Sequence, residues 1–280
     1  MLCRPCNLLA NLMTAVVLIV AAPASALESP WADTGKADVR LLAAGASATA
    51  ASLRAGIEIR LAPGWHTYWR YPGDAGVPPR FDWSASENLA AVDVHWPAPE
   101  RISVEGGLES IGYHGDVILP LRVRRADPAK PVTLRLKLDI GVCEKICIPA
   151  EANVSLVIPA GADEKLPALA DADTRVPPTV PLGENNGLGV LSAELERGEL
   201  PRALVEVAVP AGKPFDLFAE GPTAGWALPL PKRIASGDGR ARFAVAIDGA
   251  PSDAAGPLPS SLRLTLVAGD DSVEVLAPLD

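Results

Sequence analysis

Cysteine is scarce. Four residues in 280 are too few for a disulfide-held scaffold, so each must be explained by its own position. Histidine is scarcer, with three, and no H-x3-H pair or zinc-type cysteine spacing marks a metal site in the body of the chain. Basic residues are outnumbered: Lys+Arg 25 against Asp+Glu 34 gives a formal charge of −9, which speaks against a phosphate-binding surface and so against nucleic acid and anionic membranes as partners. Long helical periods are missing, because 28 Pro and 24 Gly place a helix breaker at nearly one position in five, excluding a helical bundle or coiled coil. No nucleophile elbow, phosphate loop or paired-carboxylate pattern is present, which removes the hydrolase readings. What is there is 49% hydrophobic, too apolar for a disordered chain, and long enough for one large domain or two ordinary ones that need no staples.

The first 26 residues read as a secretory signal peptide. Arg4 is the only charge before an apolar run from Leu12 to Ala22, and the small residues Ala24 and Ala26 fit an A-x-A cleavage site. The run is shorter than the roughly 20 residues of a membrane span, and nothing later has the length of one. The mature protein is therefore expected to be soluble and exported, without Cys3 and Cys6. Their C-x-x-C spacing is a decoy, and one pair remains, Cys143 and Cys147, in a compartment where disulfides persist.

Period-two alternation dominates the mature chain. Val132 to Ile140 puts five aliphatics on one face and four polar residues on the other, as a half-buried antiparallel strand requires. Leu53–Leu61, Val117–Val123 and Ala152–Ile158 repeat it, and Pro120 marks an edge strand or a bulge because its nitrogen cannot donate to a ladder. A polar, Pro-studded stretch follows, and alternation resumes at Ala203–Val207, Arg242–Ile247, Leu262–Leu266 and Ser272–Leu276. The expectation is all-β: two antiparallel β-sandwich domains, 27–165 and 186–280, joined by a Pro-rich linker at 166–185. The second domain has no Cys or His, so redox or metal chemistry belongs to the first.

The Cys143-Glu144-Lys145-Ile146-Cys147 segment is the most informative. Fully extended, a C-x3-C separates its Cα atoms by about 13 Å, against the roughly 4.4–6.8 Å a disulfide spans, so bonding requires a turn at Glu144-Lys145-Ile146. So short a loop stabilises by only about 2 kcal/mol in the chain-entropy model, which favours a switching pair over a staple. Lys145 would lower a neighbouring thiol pKa and Glu144 would oppose it. Spacing and compartment alone leave three readings open: a static disulfide, an exchanging pair, or a Cu(I) site shared with His66, His95 or His114.

Four segments carry a family resemblance: Gly64-Trp65-His66-Thr67-Tyr68-Trp69-Arg70-Tyr71-Pro72-Gly73-Asp74-Ala75-Gly76; Trp96-Pro97-Ala98-Pro99-Glu100-Arg101; Gly112-Tyr113-His114-Gly115-Asp116; and Cys143 to Pro149. In order and spacing they resemble the periplasmic N-terminal domain of the thiol:disulfide interchange protein DsbD, in the version found in its copper-tolerance relative ScsB. The resemblance implies an immunoglobulin-like β-sandwich fold, whose cysteines take electrons from a membrane-embedded DsbD/ScsB-type donor and pass them to oxidised periplasmic proteins, with no cofactor. It makes Cys147 the residue of the mixed disulfide and Cys143 the one that resolves it, with Tyr68 and Tyr113 near the site. The alternative function is a copper-handling accessory or a binding module with a static disulfide. Two departures stand out. In the best-known DsbD proteins the cysteines are separated by five residues under a Phe-bearing cap loop, whereas here the separation is three and Ser103–Ser110 has no Phe. The chain also reaches Asp280 without a membrane bundle or thioredoxin domain, so a separate protein is expected to supply the electrons.

Overall fold

A computed structural model describes residues 27–45, 52–74, 76–104, 107–162, 165–252 and 258–279, with 254 and 256. The signal-peptide segment lies outside these. In the first domain the strands run β1 (Ala32–Asp33), β2 (Ala37–Ala43), β3 (Ser52–Leu61), β4 (His66–Gly73), β5 (Arg80–Asp82), β6 (Leu89–Val94), β7 (Glu100–Ser103), β8 (Glu109–His114), β9 (Asp116–Arg125), β10 (Val132–Cys143) and β11 (Cys147–Ile158). They form two stacked antiparallel sheets, β1-β2-β3-β9-β6 and β11-β10-β4-β8-β7, with β5 on the free part of β10. The alternating aliphatics meet between them: Ile57 and Leu121 from one sheet, Leu134, Leu138 and Val142 from the other, are all fully buried in one cluster. Each such side chain contributes about 1.5–3 kcal/mol by leaving water.

Pro120 is accommodated differently from the expectation. Strand β9 is interior, between β3 and β6. Its pairing with β6 ends at Val94↔Leu121, and the Pro120 carbonyl turns toward that same side to accept from the His95 N–H at 2.8 Å. In an antiparallel strand the N and C=O of one residue face the same neighbour, so the missing N–H falls where the ladder has already ended.

The second domain comprises β12 (Gly189–Glu196), β13 (Arg202–Ala208), β14 (Phe215–Glu220), β15 (Lys232–Gly237), β16 (Arg240–Ala246), β17 (Ser261–Ala268) and β18 (Asp271–Pro278). These make sheets β12-β13-β16-β15 and β14-β17-β18 around their own core. The stretch read as a Pro-rich joint contains a short helix, α1 (Pro167–Thr174), opened by a proline at its first turn. Its Leu169 is buried over Gly56, where a Cβ would come within 2.5 Å of the leucine, and Asp173 pairs with Arg54 and Arg122. The chain then docks on β18 through Val180 N–H to Glu274 O and Glu274 N–H to Pro178 O, both 2.9 Å.

The domains also meet directly. Phe218 of β14 sits in the first domain's core, its ring 6.0 Å from Trp69. Arg70 of β4 donates to Glu220 at 2.7–3.1 Å and to Glu274 at 2.5 Å, and Arg101 of β7 donates to Asp216 at 2.6 and 3.0 Å. The Tyr71 hydroxyl donates to Leu228 O. All the Arg70 partners are mostly buried, so removing the cation deprives Glu220 of its ion pair out of water, while Glu274 keeps Arg263 at 2.8 Å. We expect Arg70→Met to lower unfolding stability by about 2–3 kcal/mol, read from the urea midpoint; no loss would mean that the pairs are solvated surface contacts.

Candidate functional site at the β10–β11 hairpin

Strands β10 and β11 pair without interruption from Val132↔Ile158 to Cys143↔Cys147, and Glu144, Lys145 and Ile146 make the turn. The cysteines are thus the last opposed pair before the turn, with Cα atoms 4.1 Å apart, and they are joined as a disulfide. The turn required by the spacing is the one that forms.

The two sulfurs share the outer face of the sheet but are unequally covered, because β10 is interior and β11 is the edge strand. Val142 points into the core, so Cys143 and Gly141 point to the outer face of the sheet. Cys143 is nevertheless only 1% exposed, while Cys147 is exposed on the hairpin arm. The cover is Tyr68. Its hydroxyl lies 2.8 Å from Cys143 Sγ and 3.2 Å from Cys147 Sγ. Two glycines make room for the ring: a Cβ on Gly141 would stand 2.8 Å from Tyr68 Cε2, and one on Gly76 2.8 Å from Cδ1. The segment leaving β4 around Gly76 therefore closes over the tyrosine. The described part of the Ser103–Ser110 loop ends at buried Ser110, which pairs with Gly73 on β4 and whose side chain acts on the Tyr68 hydroxyl; Glu105 and Gly106 fall outside the described residues. Burial pushes the Tyr68 hydroxyl's pKa up, so it stays protonated and can donate.

His66 occupies the position directly opposite Cys143 on β4 and opposite His114 on β8. It is 3% exposed, and its Nε2 is buried with no hydrogen-bond partner among the described residues. The two imidazoles are 5.4 Å apart, and His114 Nδ1 is 2.7 Å from Glu100 Oε1. Burial, then the neighbouring His114, lowers the His66 pKa, against a smaller upward pull from Glu100. Sequence reasoning considered His66 only as a metal ligand; the signal that would have placed it at the disulfide is its parity with Tyr68, two residues on.

The other candidates divide. Glu144 and Lys145 are exposed at the hairpin tip and make no ion pair among the described residues. Tyr113 is not brought to the sulfurs. It pairs with Thr67, on the opposite parity from Tyr68, so its side chain enters the core and donates to Pro97 O at 2.9 Å. His95 lies past β6 and takes no part. Among the described residues, no group of three or more His, Cys, Asp or Glu side chains is arranged to hold a metal ion. The arrangement offers one disulfide with an exposed and a buried sulfur, a hydroxyl donor on both, and an imidazole across the strand from the buried one.

Residues 38–159 match the family described as thiol:disulfide interchange protein DsbD, N-terminal. Among solved structures, the N-terminal periplasmic domain of ScsB from Proteus mirabilis is similar with a TM-score of 0.70 and 23% identity, covering 91% of this chain and 99% of that one. No curated protein matches the chain.

The lowered His66 pKa has a consequence for stability. In the unfolded chain this imidazole protonates near 6.5, and in the folded chain only at lower pH, so between those points the unfolded state binds more protons and stability falls as pH falls. Below the folded pKa the loss levels off. We expect His66→Gln to flatten the acid-side decline that begins near pH 6.5, measured as urea midpoints from pH 7.5 to 5; parallel wild-type and variant curves would contradict it.

Proposed function

From the match of residues 38–159 to the DsbD N-terminal family model, we propose that this protein is a thiol:disulfide exchange module that carries electron pairs through Cys143 and Cys147. The observation that supports the reading is the inequality of the two sulfurs. An incoming thiolate reaches the exposed Cys147 Sγ and forms a mixed disulfide, and the Cys143 sulfur leaves with the bonding pair. That thiolate is buried, and the Tyr68 hydroxyl at 2.8 Å donates to it, replacing solvation that burial denies. A second donor thiolate then attacks its own sulfur in the mixed disulfide and releases Cys147, leaving the module reduced and the donor oxidised.

In the other half-reaction Cys147 attacks a substrate disulfide, expelling one substrate thiolate. Cys143 attacks Cys147 Sγ, expels the second, and the module's disulfide returns. Exposed Ile146, at 67% beside Cys147, supplies apolar surface against which a partner can pack. The proposed partners are a membrane-embedded electron donor of the DsbD/ScsB type and disulfide-bearing proteins, met in the periplasm. No described helix is long and apolar enough to cross a membrane.

Cys143→Ala cannot resolve the intermediate. In exported extracts it should accumulate adducts on Cys147 that vanish on reduction, while Cys147→Ala should not; an absence of adducts would sink the exchange role. Tyr68→Phe keeps the ring and removes the donor. Stopped-flow reduction by dithiothreitol should slow about 10-fold, the effect of one hydrogen bond to a charged atom, and an unchanged rate would remove the hydroxyl from the mechanism.

A further inference from the structure

The exchange cycle leaves one problem at Cys143. In the resolving step its buried sulfur must attack as a thiolate, yet burial favours the thiol. Tyr68 helps a thiolate once formed, but as a protonated hydroxyl it cannot take the proton. The residue that β-pairing sets opposite Cys143 is His66, and directly opposed residues keep their Cβ atoms about 4.5–5.5 Å apart. Its ring is buried, its Nε2 has no partner among the described residues, and a buried imidazole nitrogen left unpaired costs stability that a catalytic role would account for.

We propose that His66 is the proton acceptor for Cys143 in the resolving step and its proton donor in the reverse step. This rests on the exchange reading above. The Cys143 thiol passes its proton to the neutral imidazole as its sulfur's electron pair forms the bond to Cys147 Sγ. The bond from Cys147 to the substrate sulfur breaks, and its pair leaves on the substrate thiolate. In reduction of the module the order reverses: His66 takes up a proton from solvent by way of His114, and the imidazolium passes it to the Cys143 thiolate that Tyr68 holds.

The groups facing His66 suit both directions. Cys143 faces it from β10, Tyr68 shares its own strand, His114 faces it from β8, and Glu100 stands behind His114 on β7. Burial and His114 keep the resting imidazole neutral, ready to accept. Glu100, bonded to the His114 ring at 2.7 Å, supplies the negative charge that tolerates an imidazolium once formed. His114 is half exposed, which opens a route for the proton to solvent.

The test uses the reduced full chain and 5,5′-dithiobis(2-nitrobenzoate). Attack by Cys147 releases one coloured thiolate, and attack by Cys143 on the resulting mixed disulfide releases the second. The second release is followed by stopped flow from pH 5.5 to 10 in the wild type, His66→Gln and the volume-filling His66→Phe. Both variants should resolve about 100-fold more slowly near pH 7, and the gap should close at high pH, where the Cys143 thiol ionises unaided. The first release should be unaffected. A variant that resolves at the wild-type rate, or is slowed by the same factor at every pH, overturns the assignment of His66. A wild type that gives no second release overturns the exchange reading itself.

Discussion

Strand β10 is hydrogen-bonded along both edges, and its register determines nearly everything at the site. On one side it is zipped to β11, which makes Cys143 and Cys147 the terminal pair. On the other it meets the start of β4, which sets Val142 opposite Thr67 and Cys143 opposite His66. A slip of one residue would turn Cys143 into the core and Val142 out to Tyr68. What prevents the slip is the run of buried aliphatics from Val132 to Val142, whose combined burial far exceeds the contribution of the short disulfide loop. The fold therefore positions the disulfide and does not need it for strength.

Placing the pair on a two-faced strand gives the two sulfurs different environments without a dedicated cap. The hairpin arm leaves Cys147 open, while the outer face of the sheet carries Tyr68 over Cys143. A tyrosine lying flat on a sheet normally collides with cross-strand side chains; here Gly141 supplies the gap and Gly76 closes the far side. A chain with no Phe in its Ser103–Ser110 segment thus covers the disulfide with a tyrosine of β4, flanked by the segment that follows it and by Ser110.

Much of this architecture was legible. The aliphatic alternation marked β3, β9, β10 and β11, and C-x3-C geometry required the turn at Glu144-Lys145-Ile146. Local pattern failed where pairing between distant segments decides the outcome. His66 and Cys143 are opposed only because β4 and β10 align, so a lone histidine in the sequence gave no sign of its neighbour. Tyr113 shared an aromatic resemblance with Tyr68, but the pairing of Thr67 with Tyr113 sends it to the other face. Helix α1 escaped notice because eight residues flanked by prolines show little period, and its Leu169 is fixed by Gly56 on a distant strand.

The same strand links the site to the second domain. His66 and Tyr68 precede Arg70 on β4, and Arg70 is held by Glu220 and Glu274 across the domain junction while its guanidinium lies 4.2 Å over the Trp69 ring. Trp69 in turn packs on Phe218. A strand bearing two residues that contact or oppose the sulfurs is thus anchored, two to four positions further along, by side chains of another domain. Beyond Tyr68 the pairing of β4 with β8 breaks register until Gly73, so its own ladder holds that stretch weakly. The Arg70 ion pairs fall in this gap. The second domain, without cysteine or histidine of its own, thereby takes over the restraint that the missing ladder bonds would have provided.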